Sequence, residues 1–337
     1  MSGRDFYDQD ASARASWRLA VLMGANSRTY KFALGQALLE YGRRGQDAVL
    51  LEQFAATYSL ALVRHLGQGP QAPQTTDLGE NDFLTVTTQE SAATLAAGRP
   101  TERLVTSAVR SMPTMVMQKF HNLRGGSAVP HTFYELIGKG RHRIVRLTPE
   151  LLRLAQSEQA AGLTEELGAR WSIVESSFAS GVGQSLLKEG VAVNWDTLKL
   201  TDKRRRRSVA GIVEATVGFQ HGRCLICGGV LAPGEDIAVD HVFPFSLMRR
   251  LGSVGAWHGP DLDALWNLAP AHATCNGTKS DRPPTRGELR RLAARNEAIM
   301  QSPHPLCRTL QLSMRQALPG QKASSWREFL MAVQTTT

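Results

Sequence analysis

The sequence predicts an α+β protein: a predominantly α-helical N-terminal region, then a small metal-stapled domain, then a helical C-terminal tail. Three observations predict it. Apolar residues recur at helical spacing through most of residues 10–179. Two Cys/His pairs at metal-ligand spacing bracket a short strand-like stretch, and a basic helical pattern follows the pair Pro283 and Pro284. At 337 residues the chain exceeds what one hydrophobic core usually organises, so the expected divisions are residues 1–198, 199–285 and 286–337.

Composition narrows the class. Hydrophobic residues make up 42% of the chain, yet no apolar run approaches the roughly 18–20 residues that span a bilayer. The opening MSGRDFYDQD is polar and acidic, so neither a secretory leader nor a membrane anchor is expected, and the expected location is cytoplasmic. A net charge of +9 and a pI near 9.7 set up a positive field that concentrates a polyanion. DNA is the expected partner, with RNA left open by charge alone. Of four cysteines, Cys224, Cys227 and Cys275 fall in one part of the chain, which in a reducing compartment points to zinc rather than disulfides. Cys307 reads as a small buried hydrophobe.

In chain order, Trp17 to Met23 and Tyr30 to Tyr41 predict two helices separated by Gly24 to Ser27, with Ser27 as a cap and Gly42 and Gly45 at the end. A third helix is expected from Val49 to His65. GQGPQAPQTT, from Gly67 to Thr76, has nothing large and apolar to bury and predicts a surface loop or linker. Residues 87–122 read as helix broken at Gly98, Pro100 and Pro113. Apolar-rich sequence on both sides of Gly138, Lys139 and Gly140 predicts a strand pair, and Thr148 followed by Pro149 predicts a helix start. Further helices are expected at 149–160 and 163–179. At Lys199 the composition changes, and Arg204, Arg205, Arg206 and Arg207 form a basic run expected to touch phosphates at the interdomain seam.

The chemistry-bearing residues come next. Cys224 and Cys227 in RCLICGG and His272 and Cys275 in AHATCNG share knuckle spacing, and four Cys/His ligands describe a closed structural zinc site in a domain too small to hold itself together. Between the pairs, VDHVFPFS sets Asp240 directly before His241. Phosphodiester hydrolysis near neutral pH needs a base for water, which a neutral histidine supplies, and a hard cation, which a carboxylate can hold. Neighbours on a strand point to opposite faces unless the strand ends there.

Downstream stands DALWNLAPAHATCNGTKSD, with Asp263, Trp266, Asn267, Leu268, Asn276 and Lys279. Together with the preceding motifs, residues 224–281 resemble the HNH (ββα-metal) endonuclease superfamily, whose pattern runs CxxC, DHxxPxS and, after a gap, NLxxxCxxCHxxK. The resemblance implies that His241 is the general base and that Asp240 and Asn276 hold the catalytic cation. It implies that Asn267 pins the loop carrying His241 and that Lys279 lies near the phosphate. The chain departs from the pattern by His272 where cysteine is commoner and by Asn276 where histidine is. An amide oxygen is a hard donor, so Mg²⁺ or Mn²⁺ is expected at the catalytic site and Zn²⁺ at the structural one. Trp266 and Leu268 are expected to pack the small core. Arg249 and Arg250, in the gap, are expected on backbone phosphates.

The expected function is therefore metal-dependent cleavage of DNA, in anti-phage defence or restriction, with a non-cutting zinc-stabilised nucleic-acid-binding module as the alternative. The N-terminal region is expected to choose the target by sensing a signal, binding a partner protein or a second copy, or reading DNA.

Overall fold

A computed structural model of the chain describes residue 6 and residues 10–24, 27–123, 126–179, 190–194, 197–202, 208–248, 259–316 and 323–336. It combines helices with three small antiparallel sheets, an α+β mixture divided into two compact units: residues 7–183, and residues 184–337 with residues 1–6. Among the described residues no helix is long and apolar enough to cross a membrane.

The first unit is mostly helical. Helix α1 (Ala13–Arg18) runs on into a wider π turn (Leu19–Met23) and is followed by α2 (Tyr30–Arg43). Thr29, not Ser27, takes the cap position of α2, without a side-chain hydrogen bond. The expected third helix begins two residues late. Ala48–Leu50 form strand β1, and α3 spans Leu51–Leu66. Val49 is the one buried residue of β1, which pairs antiparallel with a strand nearly a hundred positions later, Leu50 opposite Ile144. A three-residue strand has no period to read, so only its distant partner defines it.

Helices α4 (Phe83–Ala97) and α5 (Glu102–Ser111) are separated where the glycine and proline predict. Gly98 takes the left-handed conformation (φ 65°) that ends α4, and Thr101 accepts from the Leu104 N–H to start α5. Strands β2 (Tyr134–Ile137) and β3 (Ile144–Leu147) form the expected pair, Tyr134 opposite Leu147, and complete the sheet in the order β1-β3-β2. Helices α6 (Pro149–Ala155) and α7 (Ala160–Phe178) follow.

The loop expected at Gly67 to Thr76 is tied down in its middle. Gln71 is only 2% exposed. Its carbonyl accepts from Thr29 Oγ1 at 2.5 Å and Trp171 Nε1 at 3.0 Å, and its amide donates to Glu175 at 2.6 Å. Composition sees only the polarity of a glutamine; a buried one is held by partners distant in sequence.

The second unit starts with an antiparallel meander that the sequence reading lacks: β4 (Val191–Asn194), β5 (Lys199–Asp202) and β6 (Ser208–Gly211). The break in composition at Lys199 thus falls on the central strand of a sheet, and the two units divide between residues 183 and 184. After α8 (Ile212–Thr216) comes a cysteine turn, then the hairpin of β7 (Ile237–His241) and β8 (Leu268–His272), then α9 (Ala273–Lys279). Helices α10 (Arg286–Gln301), α11 (Leu306–Gln316) and α12 (Trp326–Thr336) close the unit.

These last helices belong to the core. Trp266 is fully buried, stacked with Trp326 at 6.3 Å and met edge-on by Phe329 at 5.1 Å. Leu268 is equally buried. Helix α10 opens with a reciprocal cap between Thr285 and Glu288, and in this helix, expected to be basic and amphipathic, two of the arginines face inward. Arg295 donates to the carbonyls of Leu268 and Trp266 at 2.5 and 2.8 Å, and Arg291 to those of Leu225 and Ile226. Side chains of α10 thereby satisfy backbone carbonyls of the cysteine turn and of the hairpin that would otherwise be buried without partners.

Candidate functional site

Four soft ligands converge at one end of the hairpin. Cys224 and Cys227 flank a tight turn in which Gly228, at φ 77°, lets its N–H reach back to the Cys224 carbonyl at 2.9 Å. The turn is docked on β8 by a bond from Leu225 N to the Pro270 carbonyl at 3.1 Å. His272 ends β8 and Cys275 sits in the first turn of α9, so strand and helix deliver the second pair. The ligand atoms of Cys224, Cys227, His272 and Cys275 all lie within 4.8 Å of one another.

The quartet fits a tetrahedral metal such as zinc. Metal–sulfur bonds of about 2.3 Å and a metal–nitrogen bond of about 2.0–2.1 Å set sulfur and nitrogen about 3.5–3.6 Å apart. Cys227 Sγ and Cys275 Sγ lie 3.5 and 3.6 Å from His272 Nδ1. The far ring nitrogen, Nε2, donates to the Val230 carbonyl at 3.1 Å, with a Glu235 oxygen at 3.3 Å, which leaves the Nδ1 lone pair free to bind. Burial and the nearby Cys227 and Cys224 push the Cys275 thiol up to about 11. A divalent cation reverses that, because only it allows three crowded thiols to ionise together.

The other end of the hairpin carries Asp240 and His241. Strand β7 stops at His241, opposite Leu268, and the two side chains diverge as strand neighbours do. Asp240 turns toward α9 and is 3% exposed. Its Oδ1 accepts from Lys279 at 3.0 Å, while Oδ2 is buried with no hydrogen-bond partner among the described residues. Burial raises the Asp240 pKa against the pull of Lys279 and His241. The imidazole of His241 faces the segment before β8, with Nε2 3.0 Å from Asp263 Oδ1 and the ring of Phe245 tilted at 5.6 Å.

Asn267 clamps this arrangement. Its side chain is wholly buried, accepts from Phe243 N at 2.8 Å, and donates to the carbonyls of Phe243 and Leu262 at 2.9 and 2.8 Å. Its backbone carbonyl takes the N–H of Val242 at 2.9 Å. One amide therefore holds the chain just after His241 and just before Asp263.

Lys279, expected near the phosphate, lies against Asp240. It is 2% exposed, and its ammonium donates to Asp240 and, at 2.9 Å, to the His241 carbonyl. A buried carboxylate needs a compensating charge, and the last turn of α9 supplies it. Asn276 lies three residues earlier, hence on the face of α9 that carries Lys279 toward Asp240. Arg204, Arg205, Arg206 and Arg207, and Arg249 and Arg250, lie outside the described residues.

Spacing alone did not single out Asp263, Arg291 or Arg295. Asp263 is four residues before Asn267, just ahead of the 3-10 turn Leu265–Asn267, and lies 3.0 Å from His241 Nε2. No protein-family model, curated protein or solved structure matches the chain.

Proposed function

We propose that this chain is a metal-dependent endonuclease of the HNH type that hydrolyses DNA phosphodiester bonds. The observation that carries the reading is Asp240: a buried carboxylate with one oxygen neutralised by Lys279 and the other without a hydrogen-bond partner among the described residues, next in sequence to a partly exposed histidine that precedes an Asn-clamped segment. Leaving a buried acceptor without a partner costs about 1–3 kcal/mol, a cost that a ligand at that oxygen removes.

Asp240 and Asn276 offer hard oxygen donors suited to Mg²⁺ or Mn²⁺, unlike the sulfur-rich quartet at the far end of the hairpin. Such a cation would hold the phosphate and offset charge on the leaving oxygen. His241 takes the proton of the attacking water as its oxygen bonds to phosphorus, and the bond from phosphorus to the deoxyribose oxygen breaks as that oxygen takes up a proton from solvent. Asn267 keeps the imidazole in place, and the net positive charge of the chain favours a polyanionic substrate.

One observation favours a second reading, a zinc-stabilised nucleic-acid-binding module that does not cut. Lys279 already neutralises Asp240, so the carboxylate has a structural partner without any cation. A plasmid-nicking assay separates the two. Wild type should nick with Mg²⁺ or Mn²⁺ and stop with EDTA, and His241→Ala should be inactive while still shifting DNA in a gel. Nicking that is equal in both proteins, or absent from both while the gel shift persists, defeats the endonuclease reading.

A further inference from the structure

We infer that the groove between α10 and α12 is a phosphate-binding surface, at which Arg286, Arg290 and Arg327 hold the backbone of DNA. The inference rests on the endonuclease reading for the identity of the polyanion, and on the sorting of charge around the groove for the rest.

Helix α10 carries four arginines, and the fold divides them evenly. Arg291 and Arg295 turn inward and bond backbone carbonyls. Arg286 and Arg290, four residues apart and so on one face of the helix, are exposed and line a groove of about 640 Å³. Helix α12 adds the exposed Arg327 from its first turn. Its start is fixed beside α10 by the Trp326 N–H, which donates to Glu297 Oε1 at 2.9 Å. None of the three groove arginines makes an ion pair or hydrogen bond among the described residues.

The acids of the two helices are all engaged away from them. Glu288 accepts from Arg282 at 2.6 Å and from Thr285 N at 2.8 Å, Glu297 holds Trp326, and Glu328 accepts from Ser324 N at 2.8 Å. No acidic side chain lines the groove. Three guanidinium groups thus share one concave surface with no anion among them, which concentrates positive potential there. Their planar forks match phosphate oxygens two at a time.

The floor favours a phosphate backbone over an apolar partner surface. Leu289, Ala293 and Leu330 are already buried, and of the large apolar residues in the lining Met331 alone is exposed. A docking helix would gain little burial there, whereas arginine stems can lie along such a floor with their charged ends outward. Position fits as well. The ammonium of Lys279 meets Asp240, and the chain reaches Arg286 seven residues later. At most about 25 Å of chain separates the two, the length of about seven base pairs, so one duplex can meet both.

The test is fluorescence anisotropy of the full-length protein with a duplex of about 30 base pairs, at about 50–200 mM salt, in a His241→Ala background that binds without cutting. Each phosphate contact adds about 0.9 to the slope of log affinity against log salt, and is worth up to about 8-fold at 0.1 M salt. The triple variant Arg286→Gln, Arg290→Gln, Arg327→Gln should lose about 2–3 from that slope and bind at least about 10-fold more weakly. A charge-matched control, Arg44→Gln, Arg103→Gln, Arg153→Gln, removes three exposed arginines of the helical unit and should keep most of the slope.

Equal losses in the two triple variants overturn the inference, since net charge alone would then account for them. So does a groove variant that keeps its DNA slope but loses binding to poly-glutamate, the behaviour of a surface built for an acidic protein. If the groove variant does not fold, Arg290→Gln and Arg327→Gln singly should each lose about 1 from the slope, and a slope unmoved in both is equally fatal. Nicking by the protein with His241 intact keeps the two claims apart. A protein that nicks, but whose groove variant binds as the control does, retains the endonuclease reading and loses this inference; one that loses slope without ever nicking does the reverse.

Discussion

The two ends of one hairpin make unlike sites. At Ile237 and His272 the ladder meets three sulfurs and an imidazole that close a tetrahedron; at His241 and Leu268 it meets a carboxylate with a bare oxygen and a half-open imidazole. Four residues of strand, at about 3.4 Å each, set the two ends about 14 Å apart. A closed set of soft donors stabilises a fold, and an open set of hard donors leaves room for a substrate. Their closeness in sequence hides the difference, because His272 and Lys279 are seven residues apart yet lie at opposite ends, one in the cysteine cluster and one against Asp240.

The comparison breaks most visibly when the closed end is opened. Cys224 is wholly buried and central to the small cluster formed with Leu231 and Ala271. Replacing it with serine should abolish retention of one zinc per chain and unfold the hairpin, since metal binding of about 10 kcal/mol or more is linked to folding at such sites. Elemental analysis and thermal melts with and without chelator check this. A zinc-replete, equally stable Cys224→Ser protein would remove the structural-metal account.

At the open end, His241→Ala should lower the nicking rate about 10²- to 10⁴-fold, the contribution typical of a positioned base, with zinc content unchanged. The Lys279 and Asp240 pair should behave as a buried ion pair. Lys279→Met strands a carboxylate and should cost about 3–5 kcal/mol in denaturant unfolding, while adding Asp240→Leu should recover most of it. A Lys279→Met protein as stable as wild type would mean that Asp240 is better solvated than its burial indicates.

The smallest effect lies in the helical unit. Phe133 N donates to His121 Nε2 at 2.9 Å, which requires that nitrogen to be bare, and burial followed by the nearby Lys31 lowers the His121 pKa to about 4. Below its ordinary value near 6.5 the unfolded chain takes up a proton that the folded chain refuses. Stability should therefore fall as the pH drops from about 6.5 to about 4 and not fall further below that on this account. His121→Gln, whose amide oxygen can accept the same bond, should flatten that part of the pH profile.

What was legible follows from range. The zinc-type quartet, the Asp240 and His241 pair and Asn267 lie in short motifs, where spacing stands in for geometry. Helix ends at Gly98 and Thr148 were legible because caps act within a turn. The sheet of β4, β5 and β6 and the strand β1 were not, because pairing partners and not periodicity define them. The ammonium of Lys279 against Asp240, and the backbone carbonyls that hold Arg291 and Arg295 of the basic amphipathic helix, are contacts that local pattern does not reveal. Asp263 shows the same limit, since only the folded turn brings it to His241.

The second, hard-donor metal site proposed at the far end of the hairpin can be counted directly. Zinc-replete wild type titrated with Mn²⁺ and followed by electron paramagnetic resonance should bind one further ion more weakly, and Asp240→Ala should lose that ion while keeping its zinc. Undiminished Mn²⁺ binding by Asp240→Ala, or loss of the zinc together with the manganese, would contradict the account.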